Sequence, residues 1–330
     1  MFLAGDIGGT KTVLALYGLH HGELRCEREA SFPSREHSQF EQIVDVFLGA
    51  HPSTLHAASF GVAGPIVDRR CVTTNLPWVL DERELEVRLD CPVRLLNDLE
   101  AAALGMLQLP AEQRVQLSHA RRTKDGMTAV IAAGTGLGEA LLFWDGARYH
   151  AQPTEGGHCS FAPTSADEDA LLDYMRNQLG GHVSIERVLS GPGLFNIWRF
   201  LRDTERGAMD AATMQNIETA ADPSAVIASH AIAASDPVCV HAMDMFAHIY
   251  GAEAANLALK SLAIGGVLVG GGIAPKILPF LQRGAFMDGF LNKGRFRGLL
   301  ETIPVEVVLE PRAPLIGAAH TARSLARSLA

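Results

Sequence analysis

Four acidic side chains and one histidine in this sequence sit beside glycines or at the end of an apolar run, where polar groups can do chemistry. Asn97-Asp98 follows the compact apolar run Val93–Leu96 and opens an alanine-rich stretch. Ligands of α/β folds gather at such strand-to-helix junctions. A carboxylate there can take the proton of a substrate hydroxyl as its oxygen attacks phosphorus, although Asn-Asp is equally an ordinary helix N-cap. Asp6 precedes a glycine turn. From there it can reach Mg²⁺ on a phosphate through water, because Mg²⁺ needs only one or two carboxylates and no protein cage. Its alternative role is an Asx turn. Glu155 and His158 flank two glycines in "PTEGGHCSFAP", a pairing of acceptor and donor that suits a polyol. Glu186, in "SIERVLSGPG", adds a carboxylate or is simply an exposed helix residue.

The glycines raise the matching question for phosphate. "AGDIGGTKTVLALYG", residues 4–18, places Gly5, Lys11 and Thr12 on the template G-x-x-x-x-G-K-[ST], but Thr10 stands where the second glycine belongs. A loop of that kind must open a helix. Here Thr12–Tyr17 reads as a strand, and so does Phe2–Ala4, so the unit is a hairpin. Its tip, Gly8-Gly9-Thr10, can still offer amides to an anion, or be a plain tight turn. Lys11 either pairs with a phosphate as a point charge or faces solvent. "TAVIAAGTGLGEALLFWDG", residues 128–146, repeats strand, turn and strand around Gly134-Thr135-Gly136, which suggests an internal duplication. A third turn, Gly270-Gly271-Gly272, follows the apolar run Ile264–Val269. Together the three turns suit a nucleotide. The two hairpins would hold its phosphates with amides and the Thr10 and Thr135 hydroxyls, and the triple glycine would admit backbone close to the nucleoside.

These residues need strands and helices to hold them. The first third alternates the two: strands over Leu24–Ala30, Leu55–Val62, Cys71–Leu76 and Val93–Leu96, and helices over His37–Leu48, Asp81–Leu89 and up to Leu109. "FPSREHS" reads as a loop, and the polar stretch from Pro110 to Gly126 as a boundary. The second half is more helical. Ser165 and Glu168 form a capping box for a helix over 166–179, Gly193–Leu201 is helical, and Asp222-Pro223 and Asp236-Pro237 start further helices with proline in the first turn. Ala274-Pro275 opens another. Val305–Leu309 is a late strand and Pro314–Leu325 a closing helix. This mixture predicts a layered α/β architecture.

Composition bounds the partners. With 28 Lys+Arg against 37 Asp+Glu the net charge is −9, which argues against nucleic acid, and the basic run His119–Lys124 reads as a solvated loop. Met243–Gly270 is the most apolar region, but Asp244, Glu253 and Lys260 interrupt it too often for a membrane span. Five scattered cysteines form no C-x-x-C pair, which suggests neither a disulfide framework nor a zinc site. No signal peptide is expected, because a polar turn arrives by residue 5. The expected location is cytoplasmic.

"GDIGGTKTVLALY", "TNLPWVLD", "LLNDLEAAALGM", "GTGLGEALL", "EGGHCSFAP", "ERVLSGPGLFNIW" and "GGVLVGGGIAP" together resemble the bacterial glucokinase family of hexokinase–actin-like phosphotransferases. The resemblance implies a two-domain actin/hexokinase-like (ribonuclease H-like) α/β fold with an inter-domain cleft. Residues 1–110 and 312–330 would form a small domain, and 111–311 a large one with helical insertions. It implies transfer of the γ-phosphoryl group of ATP to the 6-hydroxyl of glucose, with Mg²⁺, at the head of glycolysis, commonly by a homodimer. Asp98 then matches the catalytic base. Asn75, Asn97, Asp98, Glu155, His158 and Glu186 match the sugar contacts, and Gly8, Gly9, Thr10, Gly134, Thr135, Gly136, Gly271 and Gly272 the nucleotide turns. Lys11 departs from the family pattern, which has asparagine there. The zinc-bearing repressor and sugar-kinase group is disfavoured, because only Cys159 follows His158. Two rivals stay open: a kinase for another hexose, and a non-catalytic sugar sensor.

Overall fold

The structure is a computed structural model that describes residues 1–49, 54–208 and 210–328. Its chain divides into two units: Met1–Pro110 with Tyr149–Pro153 and Glu310–Ala330, and Ala111–Arg148 with Thr154–Leu309.

The first unit is built on a five-stranded sheet. Strands β1 (Phe2–Ile7) and β2 (Lys11–His20) form the expected antiparallel hairpin, paired from Phe2↔Tyr17 to Ile7↔Thr12. β3 (Glu23–Pro33) extends it on one side; β4 (Ala57–Val62) and β8 (Val93–Asn97) lie parallel to β1 on the other. Every residue of β4 is buried, as both faces of a parallel strand demand. One face carries helix α1 (Phe40–Gly49), whose Phe40, Ile43, Val44 and Phe47 repeat at helical spacing and pack with Leu3, Leu14 and Phe60. The other carries the closing helix α12 (Ala313–Ser328), whose Leu315, Ala318, Ala319 and Ala322 meet Phe2, Ala4, Ala15 and Tyr17. Registers Ile7↔Val62 and Val62↔Asn97 bring the carboxyl ends of β1, β4 and β8 to one edge.

Two readings of this region are corrected. Cys71–Leu76 is not one strand. Only Arg70–Val72 is extended (β6), in a small sheet with β5 (Ile66–Val67) and β7 (Val79–Asp81). The chain turns next because the Thr73 hydroxyl donates to the Leu76 and Trp78 carbonyls, at 2.8 and 3.1 Å, which puts Asn75 in a loop. "FPSREHS" is also more ordered than a loop: β3 runs to Pro33, and Ser34–Glu36 is one 3₁₀ turn. Helix α2 (Glu82–Leu89) starts as expected, with Asp81 accepting from the Arg83 amide at 2.8 Å. Helix α3 (Asp98–Gln108) follows β8 directly.

In the second unit the sheet runs β11-β10-β13-β14-β9, with β9 at Arg114–Gln116, β10 at Thr128–Ala133, β11 at Leu137–Trp144, β13 at Gly266–Gly270 and β14 at Val305–Val308. β10, β13 and β14 are parallel; β11 and β9 pair antiparallel with β10 and β14. The expected boundary stretch after Pro110 thus contains an edge strand, held to β14 by Arg114 and Glu306 at 3.0 Å. Strand β12 (Tyr149–Thr154) carries the chain between the units. The core lies around helix α8 (Pro237–Ser261), buried on nearly all sides, with α5 (Gly191–Asp203) and α7 (Pro223–Ile232) packed on it. Caps fall where Asp-Pro predicts: Asp222 accepts from the Ala225 amide at 3.1 Å and Asp236 from the Cys239 amide at 2.8 Å.

The capping box of α4 (Ala166–Leu179) is only half made. Ser165 accepts from the Glu168 amide at 3.3 Å, but the Glu168 carboxylate accepts from the Thr164 amide at 2.7 Å and pairs with His248. Ala274-Pro275 opens no helix. Residues after β13 form turns until α9 (Leu278–Leu281), because the Ile273 amide is drawn to the Ala133 carbonyl, at 3.2 Å. Helices α6 (Ala211–Thr219) and α10 (Ala285–Leu291) carry no apolar period strong enough to have foretold them. Among the described residues no single helix is long and apolar enough to cross a membrane.

Candidate active site

At the sheet edge of the first unit the hairpin tip and the start of α3 come from neighbouring parallel strands. The Gly8 amide donates to the Lys11 carbonyl at 3.0 Å and closes the turn. Ser34 pins it from outside: its hydroxyl donates to the Gly8 carbonyl at 2.7 Å and shares a 2.9 Å bond with Thr12, while its amide donates to the Thr10 carbonyl at 3.0 Å. Those bonds occupy carbonyls, and among the described residues no backbone carbonyl accepts from the Gly9 or Thr10 amide. Lys11 is exposed. Asn75 closes over the tip, so near that a Cβ on Gly9 would lie 2.7 Å from the Asn75 Cβ. The structure therefore brings together a residue expected on the sugar and one expected on the nucleotide.

Asn97 is the N-cap of α3. Its Oδ1 accepts from the Leu99 amide at 3.0 Å, its Nδ2 donates to the Gly64 carbonyl at 3.4 Å, and its own amide donates to Glu100 Oε2 at 3.4 Å. Asp98 is the first helical residue, with Oδ1 accepting from the Leu99 amide at 2.9 Å. Asp6, at the end of β1, is pushed up to about 6, first by burial, then by the charge of Asp98, against the pull of Lys11.

In the second unit, Gly134-Thr135-Gly136 closes with a 2.8 Å bond from the Gly134 amide to the Gly136 carbonyl. The Gly134 carbonyl accepts from the Gly191 amide at 2.8 Å, which docks the turn on the first residue of α5. Gly271, at φ +82°, lies where a Cβ would meet the Ala133 carbonyl oxygen at 2.3 Å, so only glycine fits. These turns and the starts of α5 and α7 line a cavity of about 820 Å³. Gly134, Thr135 and Gly272 lie on its wall with apolar Leu194, Phe195 and Ile273, and with polar Asp222, Ser224 and Lys276. Two helix N-termini bordering one cavity, with apolar walls beyond, match what a nucleotide requires.

Glu186 sits on a 3₁₀ turn, Ile185–Arg187, and its Oε2 accepts from the Leu137 amide at 2.9 Å, just past the second glycine turn. A Cβ on Gly136 would come within 2.6 Å of that oxygen. Glu155 precedes the 3₁₀ turn Gly156–His158, and both its ends reach solvent: the Glu155 side chain is 92% exposed and that of His158 64%, with 3.8 Å between Oε2 and Nε2.

The Glucokinase family profile matches residues 3–325. The glucokinase of Trichormus variabilis is 39% identical over 98% of this chain and 99% of its own length. That of Klebsiella pneumoniae subsp. pneumoniae is 34% identical over 99% of this chain and 98% of its own. The chain belongs to the glucokinase family. It is an ATP-dependent sugar kinase of hexokinase- and actin-like α/β fold, and the crystal structure of a glucokinase from an Antarctic psychrotroph superposes with TM-score 0.85 at 28% identity, covering 98% of each chain.

Within this family member the sequence reading missed several neighbours of the expected residues. Ser34 lies outside any motif, and only its place after a strand beside the hairpin hints at its role. In the sequence Asp222 marks only the start of a helix, before Pro223. It caps that helix and also borders the cavity, with its carboxyl held below the usual range first by the Ser224 hydroxyl, then by the Ala225 amide, with Lys276 contributing charge. Glu139, inside "GTGLGEALL", carries no sequence signal that marks a role.

Proposed function

We propose that this chain transfers the γ-phosphoryl group of ATP to the 6-hydroxyl of glucose at the head of glycolysis, with Asp98 as general base. The observation that carries the reading is Asp98 itself, a carboxylate at the first turn of α3 whose capping duty is already met by Asn97. A carboxylate at that strand-to-helix junction can take the proton of a substrate hydroxyl as its oxygen attacks phosphorus. Glu155, His158 and Glu186, with Asn75 and Asn97, orient the sugar hydroxyls. Exclusion of water from the bound sugar keeps the phosphoryl group from being lost to hydrolysis.

The cavity beside Gly134, Thr135 and Gly272 is of a size for a nucleotide. Amides at Gly9 and Thr10, with Gly134, Thr135 and Gly136, steady its phosphates; Gly271 and Gly272 let the backbone approach the nucleoside. Among the described residues no cluster of three or more His, Cys, Asp or Glu could cage a metal. One half-buried carboxylate, Asp6, fits Mg²⁺ held mainly by phosphate and water. The ion supplies charge neutralisation at the phosphoryl group when bound. Asp6→Asn raises the Mg²⁺ concentration for half-maximal activity by roughly 10–100-fold, as loss of an outer-sphere partner does; an unchanged Mg²⁺ requirement removes Asp6 from that role.

A cytoplasmic location is supported by free thiols at all five cysteines, and a homodimer by the family resemblance, which light scattering checks. The deciding experiment is glucose 6-phosphate formation from glucose and MgATP, run against mannose, glucosamine and N-acetylglucosamine. Glucose is expected to give the highest kcat/KM. A higher value for another hexose overturns the substrate assignment, and binding without turnover overturns the kinase in favour of a sensor.

A further inference from the structure

Glu139 lies on β11, three residues beyond the second glycine turn, and its side chain is turned into the protein at 2% exposure. The Gly156–His158 turn rests on it. A Cβ added to Gly156 would come within 1.9 Å of Glu139 Oε2, and one added to Gly157 within 2.2 Å of the Leu137 carbonyl oxygen. The glycine pair of "EGGH" is therefore a close-packing device against the first residues of β11. Residue 139 also ties down the approach to the turn: Thr154 donates its hydroxyl to the Glu139 carbonyl at 3.0 Å and accepts from the Gly156 amide at 3.1 Å. Yet Glu139 Oε1 is buried with no hydrogen-bond partner among the described residues. A buried acid left in that state is costly and asks for a reason.

We propose that Glu139 is a positioning residue for the sugar: its carboxyl is the seat of the Gly156–His158 turn and sets where Glu155 and His158 meet glucose. This rests on the reading that those two side chains hold the sugar.

The seat is the neutral acid. Burial, with the nearby charge of Glu253, pushes Glu139 up to about 7, and Lys260 opposes them. The titratable groups that act on it or feel its charge are Tyr250, Glu253 and Lys260 on α8, while the Glu155 and His158 side chains of the turn reach solvent. Lys293 stands behind Glu253 through Asn256, whose Oδ1 it reaches at 2.7 Å and whose Nδ2 donates to Glu253 at 2.9 Å. That network satisfies Glu253 rather than Glu139. Ionisation of Glu139 therefore puts an unpaired charge under the turn and draws water beneath it.

The test measures glucose KM and kcat from pH 6 to 8, roughly a unit either side of this titration, for the wild type, Glu139→Gln and Glu139→Ala, with thermal melts to confirm folding. In the wild type glucose KM is expected to rise as pH climbs through this range. Glu139→Gln keeps the shape, cannot ionise, and holds KM flat near the low-pH value. Glu139→Ala removes the seat, raising glucose KM about tenfold while kcat stays within about twofold, the pattern of lost binding rather than lost chemistry. Alkylation of the exposed Cys159, next to His158, accelerates in Glu139→Ala if the turn moves.

Glucose KM left unchanged by Glu139→Ala overturns the proposal, as does a Glu139→Gln profile identical to the wild type. Glu155→Gln run alongside separates two failures. If it raises glucose KM while Glu139→Ala does not, the positioning role alone falls. If neither moves KM, the turn does not hold sugar.

Discussion

Asp98→Asn lowers kcat for glucose phosphorylation by about 10²–10⁴, the usual worth of a positioned general base. It leaves the KM for MgATP within about twofold of the wild type, because no uniform binding is lost. The substitution is unusually clean here. Asn97, not Asp98, supplies the N-cap of α3, with Oδ1 on the Leu99 amide and the reciprocal bond from its own amide to Glu100. An asparagine at 98 keeps a side-chain oxygen for the Leu99 amide, so the helix start survives. What disappears is the capacity to accept a proton, and with it a negative charge that adds to burial in pushing the Asp6 carboxyl up. The assay couples glucose 6-phosphate formation to a dehydrogenase, with a thermal melt on the same sample. A folded variant with kcat near the wild type removes Asp98 from the chemistry.

Hairpins and caps were legible because their rules are local. Strand, glycine turn and strand at residues 2–17 and 128–144 need only alternating apolar residues and tolerant glycines, and both form as read. Asp222-Pro223 and Asp236-Pro237 carry cap and first turn in adjacent residues, and both caps are made. The errors sit where a tertiary partner overrides local preference. Thr73 folds the chain back after three residues of strand by bonding carbonyls ahead of it. Ala133 takes the Ile273 amide and so prevents Ala274-Pro275 from opening a helix. Glu168 fits the capping-box pattern, but His248, 80 residues away, claims the carboxylate.

The site shows the same division. Glycine turns and carboxylates announce themselves by type and spacing, but which surfaces they press against does not. Ser34 is 26 residues from the Gly8 carbonyl it secures, and nothing near it in sequence marks the contact. Glu186 carries two expected neighbours in one side chain, since the oxygen on the Leu137 amide also crowds Gly136. The Gly156–His158 turn, the Gly134–Gly136 turn and Glu186 all converge on Leu137–Glu139, the first three residues of β11. Only the folded register reveals that these few residues support three separate loops.

Gly317→Ala destabilises the protein, against the ordinary rule for helices. Glycine inside a helix costs roughly 0.5–1 kcal/mol relative to alanine, so the exchange normally stabilises. Here α12 crosses α3 at a point where both helices carry glycine. A Cβ on Gly317 would lie 1.9 Å from the Ala101 carbonyl oxygen and 2.7 Å from the Gly105 amide nitrogen, and one on Gly105 would lie 1.8 Å from the Ala313 carbonyl oxygen. The obstacles are backbone atoms, which no rotamer change can clear. The helices must separate, and overpacking of that kind costs about 1–3 kcal/mol. Less the propensity gain, this lowers Tm by several degrees, at roughly 2–4 °C per kcal/mol for a domain of this class. Function follows, because α3 begins at Asp98 and its other face is keyed to the sheet by Ala101, 2.8 Å from where a Cβ on Gly61 would sit. Moving α3 off α12 therefore moves Asp98, and kcat is expected to fall with Tm while the KM for MgATP stays near the wild type. Gly298→Ala is the control: a Cβ there meets nothing within 4 Å, and the helical rule should hold. A Gly317→Ala protein that melts at or above the wild-type temperature would show that the two helices have room to give.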